Sequence, residues 1–294
     1  MVGAGVVGLS CAFRLLQHGY AVDVVTREPS GETTSAVAGG FWFPHLVHPL
    51  ERVKTWSDRG YLALTELATT SASSGVRLVH GTELRDTRPT AEELWWADPV
   101  PDLEIADGHL SFTSPVVEMP VYLRWLCGRV EAAGGRILLR DLDAVPDGVV
   151  VNCTGLGARD LVGDTSVHPV RGQVVLLEQC GVTEWAMDGR DGSTYVFPRG
   201  GDIVVGGTED HGEWDRTPDP ATAREILARA TALVPELTGA RLLAHKVGLR
   251  PVRPSVRLER EGRVVHCYGH GGAGVTLSWG CADEVLALVG EAVG

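Results

Sequence analysis

The chain has 294 residues, 44% of them hydrophobic, enough for two subdomains around substantial cores. Its net charge of −12, spread along the chain, argues against nucleic acid or an anionic membrane as the main partner. No apolar run approaches the ~18–20 residues of a membrane span, nothing at the N-terminus reads as a signal peptide, and Glu291 to Gly294 carry no organelle address.

The first ten residues, Met1 to Ser10, hold Gly3, Gly5 and Gly8 in G-x-G-x-x-G spacing, and Leu9 to Gln17 reads as an apolar helix. In this spacing the first glycine turns the chain, the second lets the backbone approach a pyrophosphate, and the third lets helix pack on strand. The helix start then offers free N–H donors to the phosphates. A strand from Ala21 to Thr26 follows, and Glu28 lies 20 residues past Gly8, where a ribose-binding acid belongs. Only Met1 and Val2 precede Gly3, so the first strand of this βαβ unit is nearly absent. The expectation is a truncated or misassigned start, to be checked by the mass of natively expressed protein.

Thr33, Thr34 and Ser35, then Gly39 and Gly40, give a backbone able to touch a ligand closely. Residues 51–70 predict an amphipathic helix. A polar, proline-broken region runs from about 82 to 110, with Trp95 and Trp96 as buried anchors. Glu118 to Ala133 predicts another helix, stopped by Gly134-Gly135. Arg136 to Arg140 and Val149 to Gly155 predict strands, and the second, apolar and ending in Asn-Cys-Thr-Gly, suits a parallel sheet facing a nucleotide.

From Arg171 the pattern becomes short strands with Gly/Asp turns, 171–178, 193–198 and 202–207, as in an antiparallel meander. Asp219 before Pro220 predicts an N-cap and a helix to about Leu233. A strand at Val264 to Tyr268 leads into Gly269 to Gly274, a second glycine turn feeding a helix over 275–293. The six cysteines are scattered, with no C-x-x-C and no zinc-like spacing. No metal is expected, and Cys11 and Cys281 read as plain core residues of a reduced, cytoplasmic protein.

These blocks together resemble the D-amino-acid oxidase family, flavoenzymes of the glycine oxidase and sarcosine oxidase class. The likeness runs nearly end to end. It is carried by Gly3–Ser10, 151–155, Arg171-Gly-Gln173, Gly206-Gly-Thr208 with Gly212-Glu-Trp214, 248–253 and 268–276. The resemblance implies an α/β fold: a Rossmann-type FAD-binding domain (1–50, 111–170, 255–294) and an α+β substrate domain on an antiparallel sheet (51–110, 171–254). It also implies non-covalent FAD, a small D-amino acid oxidised to an imino acid, and O2 as the oxidant that yields hydrogen peroxide. A homodimer is left open.

By resemblance, Arg250 matches the arginine that clamps the substrate carboxylate, Tyr195 the tyrosine whose hydroxyl touches it, and Gly272 the carbonyl that accepts from the substrate amine. The planar guanidinium suits a carboxylate through two parallel hydrogen bonds. The matching cofactor set is Gly3, Gly5, Val6, Val7, Gly8, Arg27, Glu28, Thr33, Thr34, Ser35, Gly39, Gly40, Thr154, Gly155, Arg250, Gly271, Gly272, Ala273, Gly274, Val275 and Thr276. Phe43, Met187 and Glu209 join Tyr195, Arg250 and Gly272 at the substrate. Arg253 and His270 are assigned structural roles.

Two departures bear on the substrate. The segment from Asp188 to Thr194 is short and lacks the lid tyrosine of animal members, and Glu209 stands where D-aspartate oxidases place an arginine. A carboxylate there would repel acidic D-amino acids. Three other readings stay open: an oxidase for glycine or an N-methyl amino acid, a flavin-binding protein without turnover, and an NAD(P) dehydrogenase.

Overall fold

A computed structural model describes residues 1–45, 47–190 and 194–293. The first helix, Val6–Gln17, opens directly on the glycine turn, and the strand Asp23–Thr26 pairs in parallel with Arg136–Leu139. In place of the nearly absent first strand, a single residue is held from both sides. Val2 bridges Val25 and Asn152, parallel to each, with its N–H on the Val151 carbonyl at 2.9 Å and its own carbonyl accepting from the Cys153 N–H at 2.8 Å. Val150–Asn152 then pairs in parallel with Val264–His270. This is the parallel, doubly covered part of the fold.

Beyond Val264–His270 the ladder turns antiparallel. Leu242–Glu261 pairs with it on one side and with His168–Glu178 on the other, followed by Asp202–Gly206, Thr194–Pro198 and Trp185–Asp188. The last runs parallel to Val76–Leu84, which pairs antiparallel with His109–Val117, and Glu104–Ala106 ends the row; with Asp210–His211 pairing on His168–Glu178, the described residues form an eleven-stranded sheet. The expected meander is present. The strands His168–Glu178 and Leu242–Glu261 run through the boundaries expected at 171 and 255, so both halves share one hydrogen-bonded ladder.

The region read as polar and proline-broken contains the end of Val76–Leu84, all of Glu104–Ala106 and the start of His109–Val117. Trp96 is buried as expected, whereas Trp95 is only half-buried. The helices Leu50–Thr70 and Met119–Ala132 match their predicted spans closely, and Gly134 after the second takes the positive φ that ends it. Asp219 caps Pro220–Leu233 as expected, accepting from the N–H groups of Ala221 and Thr222.

Helices Val6–Gln17 and Leu50–Thr70 both pack on Gly274–Val293, burying Leu9, Leu64 and Leu277 completely. The large indoles in this layer satisfy their single donors. Trp56 Nε1 donates to Glu284 at 2.6 Å, Trp279 Nε1 to the Tyr122 hydroxyl at 2.9 Å, and Trp42 Nε1 to the Ser57 carbonyl at 3.1 Å. Truncating such a ring in a packed core costs about 3–5 kcal/mol. The layer therefore fixes both glycine turns against the sheet. Among the described residues no helix is long and apolar enough to cross a membrane.

Candidate active site

Both glycine turns open on one cavity of about 860 Å³, near the upper end of the ~300–1,000 Å³ typical of ligand pockets. Every residue expected at the cofactor or the substrate lines it except Gly8, Ala273 and Thr276. Gly8 instead faces the Gly3 carbonyl, Ala273 is fully buried in core, and the Thr276 hydroxyl is consumed by the loop opposite. That hydroxyl accepts from the Phe43 N–H at 3.1 Å and donates to the Phe43 carbonyl at 3.0 Å. The Thr276 hydroxyl thus pins the cavity wall, which leaves its backbone N–H as the group it offers at the helix start.

The cofactor half is built from unsatisfied backbone donors. Gly5 caps Val6–Gln17 without a side-chain acceptor, and the Val6 N–H reaches Ser35 Oγ at 3.0 Å. Among the described residues no acceptor takes the N–H groups of Val7 or Gly8, nor those of Gly274, Val275 and Thr276 at the start of the last helix. Two helix N-termini with orphan donors on one cavity suit one anionic group and one partly anionic ring edge. Gly3 has φ +105°, and a Cβ there would lie 2.5 Å from the Cys153 carbonyl oxygen, so the turn stays flat against the sheet only with glycine. These residues fit FAD: donors for its pyrophosphate at 5–8, and Glu28, on the wall beside Arg216 at 3.8 Å, for its ribose.

The substrate half is set by two polar side chains lying across glycines of neighbouring strands. Arg250 extends over Gly172, where a Cβ would sit 2.5 Å from its Nη1, and Nη1 donates to the Thr208 carbonyl at 2.9 Å. Tyr195 lies over Gly206, its cross-strand partner, where a Cβ would sit 2.1 Å from the ring. The glycines of the Arg171-Gly-Gln and Gly-Gly-Thr blocks are therefore the floor for the two polar groups. Burial pushes the Tyr195 hydroxyl above its usual range, partly offset by the Arg250 charge, so it stays a donor at neutral pH. Tyr195 and Phe197 stack at 4.6 Å and Phe197 and Phe41 at 4.4 Å, giving the cavity an apolar aromatic side.

Sequence reasoning missed several lining residues. His45 is one, and its Nε2 meets Glu209 Oε1 at 2.5 Å across 164 residues. Arg140 to Asp143 and Trp214 are others. Nothing local in the chain marks His45, because its partner comes from a distant loop. The lid segment is described only in part: Met187 is on the cavity wall, whereas 191–193 lie outside the described residues.

Cys11 and Cys281 are fully buried in core as expected, and cysteines scattered along the chain converge there in space. Cys11, Cys153 and Cys267 bring their sulfurs within 4.8 Å of one another, as do the donors of Cys267, His270 and Cys281. Four elements supply them, so chain spacing carried no sign of it.

Arg253 has the structural role expected of it. Its Nε donates to Asp164 at 3.0 Å, and the hydroxyl of Tyr268, a wall residue, donates to the same carboxylate at 2.9 Å. Desolvation raises the Asp164 pKa, but bonds from Ser166, Tyr268 and Arg253 outweigh it and hold the group down at about 2. A depressed carboxylate adds stability above its unfolded value of 3.8, lost as pH falls through about 2. Asp164→Asn accordingly lowers the melting temperature at pH 7, and its deficit against the parent narrows between pH 3.8 and about 2. Calorimetry across that range checks this; a deficit independent of pH would contradict it.

Residues 1–288 match the family described as FAD dependent oxidoreductase. The chain is 45% identical to a D-amino-acid oxidase of Rubrobacter xylanophilus, covering 100% of this chain and 96% of the relative. It is 44% identical to a D-amino-acid oxidase of Streptomyces coelicolor, covering 98% and 95%. Among solved structures it is similar in fold to glycine oxidase from Geobacillus kaustophilus, with TM-score 0.80, 22% identity, and 99% and 93% covered.

Proposed function

This chain belongs to the family of FAD-dependent oxidoreductases, and on that premise we propose that it oxidises D-amino acids to 2-oxo acids, ammonia and hydrogen peroxide. FAD is its cofactor. The observation that carries the reading is the Arg250 guanidinium on the wall of the same cavity as two donor-rich glycine turns. The names of the full-length relatives support it. When bound, FAD would supply a two-electron acceptor for the hydride of Cα, with dioxygen as the final oxidant.

The chain's residues do the rest by placement. Arg250 holds the substrate carboxylate, with Nη1 anchored on the Thr208 carbonyl so that the remaining N–H groups are aimed by a fixed guanidinium. Tyr195 donates its protonated hydroxyl to the same carboxylate. The Gly272 carbonyl accepts from the substrate amine, which must lose its proton before hydride can leave. The free N–H groups at 274–276 would hold the ring edge of FAD and would favour negative charge there. Holding Cα by two groups on rigid strands brings the reacting atoms to contact distance, the main contribution a hydride-transfer site makes. No nucleophile is needed.

The domain division expected from the sequence belongs to this reading, with the parallel part serving FAD and the antiparallel part the amino acid. The six free cysteines support a reducing, cytoplasmic setting. The test is direct. The purified yellow protein, given D-alanine in air, produces peroxide in a peroxidase-coupled assay and gives none with L-alanine. Peroxide from glycine or an N-methyl amino acid but not from D-alanine would transfer the reading to that sister activity.

A further inference from the structure

Glu209 follows directly on Thr208, whose carbonyl anchors Arg250, so the carboxylate stands beside the proposed carboxylate clamp on the wall of the same cavity. Its Oε1 is held by His45 Nε2 at 2.5 Å, and among the described residues Oε2 has no hydrogen-bond partner. His45 in turn lies against the bare backbone of Gly272, where a Cβ would come 2.8 Å from its Cδ2. The bond to His45 leads the groups that hold the Glu209 carboxyl below its usual range, with the charges of Arg250 and His211 adding to it, against some desolvation. An ionised, acceptor-only carboxylate therefore lines the cavity that Arg250 also lines, with one oxygen uncommitted among the described residues. The pair is also partly shielded, with side-chain exposures of 40% for His45 and 29% for Glu209, where a charge-assisted bond counts for more than on an open surface.

We propose that Glu209, oriented by His45, selects D-amino acids whose side chains end in a cation, of the lysine, ornithine or arginine kind. Such a substrate spans two opposite charges, its carboxylate on Arg250 and its terminal ammonium or guanidinium on Glu209 Oε2. A second carboxylate, as in D-aspartate, meets like charge there. The proposal rests on the reading of Arg250 as the carboxylate clamp and names the substrate class of that same site.

The test uses the FAD-loaded enzyme and pairs of compounds differing only in the terminal charge. 6-Aminohexanoate and hexanoate both offer Arg250 a carboxylate and lack an amine on Cα, so neither is oxidised. Competition binding favours 6-aminohexanoate by about tenfold or more, as expected for one charge-assisted hydrogen bond. D-lysine exceeds D-norleucine in kcat/KM by a similar ratio. In Glu209→Gln both ratios fall toward one. In Glu209→Lys the order reverses, hexanedioate binding better than 6-aminohexanoate, which a misfolded variant would not do. Equal binding of the two hexanoates to the parent enzyme, or a preference that survives Glu209→Gln, overturns the proposal. Should no D-amino acid be turned over, the oxidase reading fails, while the hexanoate comparison still decides what Glu209 does.

Discussion

Replacing Arg250 with alanine lowers kcat/KM for a D-amino acid by about two to three and a half powers of ten, with FAD still bound at full stoichiometry. Removing one partner of a shielded charge pair costs about 3–5 kcal/mol, at about 1.4 kcal/mol per decade. The loss is that large because the substrate carboxylate would sit on an apolar aromatic wall with Tyr195 as its main remaining donor. Arg250→Lys recovers only part of it, since an ammonium lacks the planar fork and sits differently over Gly172. Steady-state kinetics with the flavin-to-protein absorbance ratio read both quantities. An alanine variant with unchanged kcat/KM would remove Arg250 from the site.

Gly3→Ala produces the opposite pattern, a protein that loses its flavin. With φ +105°, an alanine is in a backbone region costing about 1–3 kcal/mol, and its Cβ also lies 2.5 Å from the Cys153 carbonyl. Relief requires moving the turn away from the strand Val150–Asn152 and disturbing the donors at 6–8. FAD affinity should fall at least about tenfold, and the melting temperature with it. Equilibrium dialysis against FAD measures the first; full flavin retention would show that the turn tolerates the shift.

Much of the parallel half was legible in the sequence because its signals are local. The glycine turn and the apolar run before Asn152 each lie within a few residues of the structure they specify, as does the Asp219-Pro220 cap on the antiparallel side. The antiparallel part was harder. Pro251 and Pro254 argue against a central strand, yet both lie within Leu242–Glu261. Pro251 is tolerated because it pairs with Pro169, so neither strand calls on an N–H there, and the register shifts between Val252 and Arg257 around Pro254.

At the site, Arg250 and Tyr195 were identified by likeness to a family, and the structure supplies the geometry the chain could not show: a glycine beneath each. A threonine hydroxyl after a glycine turn looks available at Thr276, and only the fold reveals that Phe43 uses it, leaving the backbone N–H. His45 went unseen because a lone histidine in a loop has no meaning until Glu209 arrives from across the chain.

The bare backbone under Arg250 and Tyr195 divides the pocket for anyone wishing to re-engineer it. Positions 172 and 206 lie within paired strands, and any added methyl there would collide with the side chain above. Positions 45 and 209 lie outside the paired strands and meet through side chains alone. Randomised libraries at the first pair would return mostly inactive clones, whereas libraries at the second would change which amino acid is accepted and leave the chemistry intact.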